Sequence, residues 1–93
     1  MGGKTQVIVI NEKDNVAIAL KPLKAGTKIS AEVRGRVEKI RLLSDIPVGH
    51  KFALQNIEEG EPVTKYGEPI GQSTRKIARG EHVHVHNVVS QPR

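Results

Sequence analysis

The chain has 93 residues, enough for one domain, and no cysteine, which excludes disulfides, zinc–thiolate sites, iron–sulfur clusters and cysteine nucleophiles. Hydrophobic residues make up 37% and the sole aromatics are Phe52 and Tyr66, so the core must be built from Val, Ile, Leu and Ala, a composition that favours strands. The net charge of +5 is spread among acidic residues, and its densest stretch, residues 34–41, has no aromatic for base stacking; this argues against nucleic acid and reads first as a solvated face, with attraction to an anionic substrate or an acidic partner as the sharper alternative.

Residues 1–6 carry no apolar signal region, and Val7-Ile8-Val9-Ile10 is a strand-sized run too short to span a bilayer, so a cytoplasmic protein without membrane contact is expected. Residues 5–10 are β-branched and read as a strand. Residues 11–15 read as a turn, and residues 15–20 alternate, with Val16, Ile18 and Leu20 on one face. Residues 33–43 are ambiguous: Val37, Ile40 and Leu43 would share one side of a short helix, whereas Gly35 favours strand, the reading preferred here. Residues 56–59 and 73–78 each have room for a single helical turn. Residues 82–89 alternate, with Val83, Val85 and Val88 or Val89 directed at the core.

Between these segments one pattern recurs four times. Leu23-Lys24-Ala25-Gly26-Thr27-Lys28-Ile29 places an aliphatic residue, two spacers, Gly, two spacers and an apolar residue. Ile46 to Phe52, Ile57 to Val63 and Ile77 to Val83 repeat it around Gly49, Gly60 and Gly80. Each Gly falls where a tight turn needs positive φ; the residue before it would pin the chain to the core and the one after would begin a strand. The glycine offsets are irregular, which excludes a stacked solenoid and leaves one compact, mostly β domain over residues 1–93, with 1–4 a flexible start and 90–93 a flexible tail. A core this small is expected to gain stability from a partner subunit or a homo-oligomer.

The chemistry-bearing residues are few. In His82-Val83-His84-Val85-His86-Asn87, a strand would direct all three imidazoles to one face. Same-face neighbours are about 6.5–7 Å apart, so His82 and His84 can share a metal ion, whereas His86 on a flat strand lies about twice as far from His82. The choice is a metal-binding pair completed from elsewhere, or a row of imidazoles for substrate contact and proton transfer. A half-buried strand whose outer face happens to carry His is the bland alternative; three in alternation weigh against it. His50 and Lys51 leave the Gly49 turn, where they either face a pocket or simply start a strand. Lys65-Tyr66-Gly67-Glu68-Pro69-Ile70-Gly71 is a shaped loop in which Lys65 can pair with a carboxylate and Tyr66 can donate a hydrogen bond; otherwise it is a surface turn. No phosphate-loop motif is present.

Taken together, Gly49-His50-Lys51-Phe52-Ala53-Leu54, Gly60-Glu61-Pro62-Val63, the residue 65–71 loop and Gly80-Glu81-His82-Val83-His84-Val85-His86-Asn87 resemble the amino-terminal domain of altronate and galactarate dehydratases. The resemblance covers roughly residues 14–88 and implies a β-clip fold of the SAF type. Because the chain ends at Arg93 and has no counterpart of that family's large domain, the likeness is to the separately encoded small subunit found in some members, sulfolactate dehydratases included. It implies a hydro-lyase subunit, inactive alone, that joins a large dehydratase subunit to act on a small hydroxy acid. The implied pocket assigns His84 and His86 to proton transfer and His50, Lys51, Lys65, Tyr66 and Asn87 to substrate, with Lys65 on the carboxylate. His82 and His84 become candidate ligands for a divalent metal (iron, manganese or magnesium) held mainly by the partner. The alternative is a stand-alone β-clip module that binds a sugar acid or carbohydrate without catalysis.

Overall fold

The four glycine turns are the joints of the molecule. The computed structural model describes residues 6–90, so the expected flexible start at 1–4 and the tail beyond Ser90 lie outside the described residues. Gly26, Gly49, Gly60 and Gly80 all have φ between +83° and +88°. The amide of the following residue closes each turn on the carbonyl three residues back: Thr27 to Lys24, His50 to Pro47, Glu61 to Glu58 and Glu81 to Ala78, at 2.9–3.2 Å. Each glycine N–H also donates to a neighbouring segment, at Leu42, Ala19, Ser73 and Ala53 respectively. The aliphatic residues that precede the turns pair with one another, Leu23 with Ile46 and Ile57 with Ile77. Those that follow, Ile29, Phe52, Val63 and Val83, are buried. The repeat is thus a hydrogen-bonding unit used four times, each copy anchored at both ends by a buried side chain that contributes about 1.5–3 kcal/mol.

Nine strands are formed among the described residues: β1 (Val7–Ile8), β2 (Val16–Ala19), β3 (Lys28–Val33), β4 (Arg36–Arg41), β5 (Lys51–Ala53), β6 (Pro62–Lys65), β7 (Glu68–Ser73), β8 (His82–Val83) and β9 (Val88–Ser90). One antiparallel sheet has the order β1-β2-β5-β8, β3 and β4 form a separate hairpin, and a second sheet runs β6-β7-β9. Two aliphatic clusters fill the interior. The larger contains Phe52, Ile29, Ile40, Leu42 and Ile46; the smaller contains Val16, Ala53, Ile57, Val63, Ile77 and Val83. The result is the small, mostly β body that the SAF-type resemblance implied, and among the described residues no helix is long and apolar enough to cross a membrane.

Four expectations are corrected. Among the described residues no helical turn forms; residues 56–59 and 73–78 are tied instead by the two hydrogen bonds between Ile57 and Ile77, 2.7 and 2.8 Å long. In β2 alternation does not set burial: Val16, Ala17 and Ala19 are buried, Ile18 is half-buried, and Leu20, beyond the strand, is exposed. Ser90 belongs to β9 rather than to a tail. Residues 82–89 are not one strand: the chain leaves the first sheet after Val83, turns through residues 84–87 and enters the second sheet at Val88. Val85 sits at the tip of that turn, 80% exposed, and not in the core.

Candidate functional site

The break after Val83 is what assembles the site. β5 and β8 pair with Lys51 opposite Val83 and Phe52 opposite His82. Continuing that register by one residue sets His50 opposite His84, and directly opposed side chains share a face. Their rings stack with centroids 4.2 Å apart and planes 22° apart. His82 lies diagonally across, with its Nε2 2.9 Å from Nδ1 of His50. The turn then folds His86 back over His82, at 5.2 Å between ring centroids. A flat strand would have kept His82 and His86 about 13 Å apart. The curl brings the His86 ring back to His82, while the three imidazoles that offer donor atoms to one point are His50, His82 and His84.

Asn87 holds the curl in place. Its Oδ1 accepts from the His84 N–H at 3.0 Å and its Nδ2 donates to the His82 carbonyl at 2.9 Å. The Asn87 residue is fully buried and shapes the histidine loop from within.

Lys51 follows His50 on β5, half-buried beside the imidazoles. Lys65 ends β6, and Tyr66 and Gly67 form the two-residue tip to β7 with φ of +61° and +73°, the mirror-image turn that suits a tight hairpin. Tyr66 is 59% exposed and lies under the Lys65 ammonium, 5.0 Å from ring centroid to Nζ. Sequence reasoning missed the residues that fix this tip. Asp14, buried, accepts from the Gly67 N–H through Oδ1 at 2.8 Å and from the Asn11 N–H through Oδ2 at 3.1 Å. Asn15 accepts from the Thr64 N–H at 2.8 Å and donates to the Pro62 carbonyl at 3.0 Å. This pair staples the hairpin carrying Lys65 to the start of β2, which lies beside β5. The one signal for it was the turn-forming run Asn11 to Asn15 itself.

The site is basic throughout. Burial lowers the pKa of Lys51, and the Lys65 charge lowers it further. Loss of hydration holds the His82 imidazole below the usual histidine range, followed by repulsion from His86, His50, His84 and Lys51. His84 is lowered in the same direction by desolvation and then by His50, Lys51 and His86. The charged neighbours acting on these groups are all bases, so the His82 and His84 imidazoles are biased toward their neutral, lone-pair-bearing form. One donor atom from each of His50, His82 and His84 lies within 4.8 Å of the others. Such an all-nitrogen set suits iron, zinc, nickel or cobalt and does not suit magnesium, which seeks oxygen. A cleft of about 1040 Å³ lies elsewhere, between β1 and the β3–β4 hairpin, and none of the histidines lines it.

The chain has relatives among known proteins. Residues 5–91 match the family model described as the altronate/galactarate dehydratase SAF domain. The chain belongs to that family. As a SAF domain it is 46% identical over 82 residues to altronate dehydratase of Escherichia coli K12, covering 88% of this chain and 16% of that enzyme. It is 42% identical over 80 residues to altronate dehydratase of Bacillus subtilis 168, covering 86% of this chain and 15% of that enzyme. The SAF domain therefore spans about one sixth of the length of these dehydratases. Against (2R)-sulfolactate sulfo-lyase subunit alpha of Chromohalobacter salexigens the identity is 34% over 84 residues, covering 86% of this chain and 89% of that subunit. The lyase relatives thus include one chain of nearly this size.

Proposed function

We propose that this SAF domain is the small subunit of a hydro-lyase that removes water from a sugar acid such as altronate or galactarate, or acts on a related hydroxy acid such as sulfolactate, and that it closes the pocket of a large catalytic subunit. The observation that carries the reading is the convergence of His50, His82, His84 and His86, with the Lys51 charge close enough to act on His82 and His84 and Lys65 close enough to act on Lys51. The match to nearly the whole of a sulfo-lyase subunit alpha supports a separate small chain.

The reaction needs three things. A base takes the proton from the carbon beside the carboxylate, the carboxylate's growing enolate charge is stabilised, and the β-hydroxyl receives a proton and leaves as water; the enol then becomes a 2-keto-3-deoxy acid. Lys65 suits the carboxylate, and Lys51 adds positive potential next to it. Tyr66, held under Lys65, is placed to donate to a substrate oxygen. His84 is committed to its stack with His50, so His86, exposed on the loop and outside that pair, is the imidazole freest to carry a proton. A bound divalent metal would act as a Lewis acid on a substrate oxygen, and His50, His82 and His84 are the donors this chain offers it.

The test is reconstitution. The SAF chain, a large dehydratase subunit that co-purifies with it, and their mixture are assayed on a panel of hydroxy acids. Turnover is expected only in the mixture, with His86→Ala lowering kcat by about 10²–10⁴-fold, the usual weight of a general acid or base. Full activity of the large subunit alone, or unchanged kcat with His86→Ala, overturns the assignment. Sugar-acid binding by the isolated chain with no partner found establishes the stand-alone binding module in its place.

A further inference from the structure

We infer that this chain, without any partner, binds one divalent transition-metal ion through His50, His82 and His84, and that His86 is not among the ligands. The inference deepens the proposed function, which expected the metal to be held mainly by the large subunit, and it rests on that reading only for the use made of the ion. Three observations carry it. The ligand atoms come from two separate parts of the chain, the exit of the Gly49 turn and β8 with its following residue, and are brought to one spot by the β5–β8 register. Their mutual separations run from 2.9 Å to at most 4.8 Å. Nitrogens held about 2.1 Å from one tetrahedral ion stand about 3.4 Å apart, inside that interval, so adjustment of the rings is enough to form the site.

The surroundings fit as well. His50 is anchored by its own N–H on the Pro47 carbonyl and by its carbonyl accepting from Ala19, and His84 is anchored through Asn87. The ligand backbones are therefore fixed before any ion arrives. No carboxylate belongs to the trio, which selects a nitrogen-preferring ion over calcium or magnesium. Three protein ligands leave a coordination position open toward solvent, the arrangement of a site that handles a small molecule rather than one that only holds the fold. His86 is oriented differently: its ring is tilted by 31° to that of His82, and it is not one of the three whose donor atoms meet.

The experiment titrates the full-length, tag-free, metal-stripped chain with Co²⁺ and Zn²⁺, reading heat of binding and the visible Co²⁺ spectrum. One equivalent with micromolar or tighter affinity and a tetrahedral or five-coordinate Co²⁺ spectrum is expected. His50→Ala and His84→Gln should each weaken binding by at least about 100-fold, and His86→Ala by less than about threefold. A thermal melt of each variant separates lost binding from lost folding; His84 is partly exposed, so His84→Gln keeps the fold. Absence of binding, affinity insensitive to His50→Ala, or equal losses for His84→Gln and His86→Ala would overturn the inference. Since no partner or substrate is in the cell, failure here is distinct from failure of the hydro-lyase reading.

Discussion

The four turns provide their own control for a stability measurement. Gly26 and Gly80 both have φ of +88° and the same turn hydrogen bonds, so alanine pays the same left-handed backbone penalty at either, about 1–2 kcal/mol. Their surroundings differ. A Cβ on Gly26 meets nothing within 4 Å, whereas one on Gly80 is driven into the Arg41 carbonyl oxygen, with the Leu42 Cα 3.5 Å away. That neighbour cannot simply step back, since the Gly80 carbonyl accepts from Leu43 at 2.9 Å and the Gly80 N–H donates to Ala53 at 2.8 Å. Overpacking of this kind adds about 1–3 kcal/mol. Gly26→Ala is therefore expected to lower the melting temperature by about 5–15 °C, at about 4–8 °C per kcal/mol for a domain of this size. Gly80→Ala should lose about 2–5 kcal/mol in all, a large share of the 5–15 kcal/mol typical of a whole domain. Urea unfolding of the two variants, read as midpoints at constant slope, measures the difference. Equal midpoints would refute the claim that Gly80 is pinned by its contact with Arg41 and Leu42.

Asn87→Ala leaves the His84 N–H and the His82 carbonyl without partners in a buried place and should destabilise by about 2 kcal/mol in urea unfolding, with Asn87→Asp in between because it keeps the acceptor. Asp14→Ala removes the acceptor of the Gly67 N–H at the hairpin tip and of the Asn11 N–H, costing about 2 kcal/mol and speeding hydrogen exchange of the Gly67 amide more than that of the Ala53 amide. The metal-free chain should also lose stability in acid. His82 and His84 have pKa values below those in the unfolded chain, so the unfolded state binds more protons. The stability they contribute is intact above pH about 6.5 and declines as pH falls below it. A urea midpoint at pH 5.5 equal to or above that at pH 7.5 would contradict this.

Much of the fold was legible because its repeated element is local. Apolar–x–x–Gly–x–x–apolar specifies a turn, a pin and a strand start within seven residues, and all four copies form the same hydrogen bonds. The resemblance to the dehydratase SAF domain drew on those glycines and on the histidine run, and the family match covers the same stretch. What was illegible depends on contacts between distant segments. Alternation in residues 82–89 pointed to one strand, yet the pull of two different sheets, and Asn87 capping the turn between them, breaks it. That Ala17 and Ala19 are buried while Leu20 is 47% exposed is not encoded by hydrophobicity alone. His50 joins the other imidazoles only through the β5–β8 register, 32 positions away along the chain from His82.

All functional statements depend on the four imidazoles sharing one face of the folded chain. Ring-to-ring cross-relaxation in the NMR spectrum of the isolated protein measures this directly. Cross-peaks are predicted between the rings of His50 and His84 and, decisively, between those of His82 and His86, whose centroids are 5.2 Å apart. An extended segment would hold His82 and His86 about 13 Å apart; absence of their cross-peak in the folded protein would contradict the account.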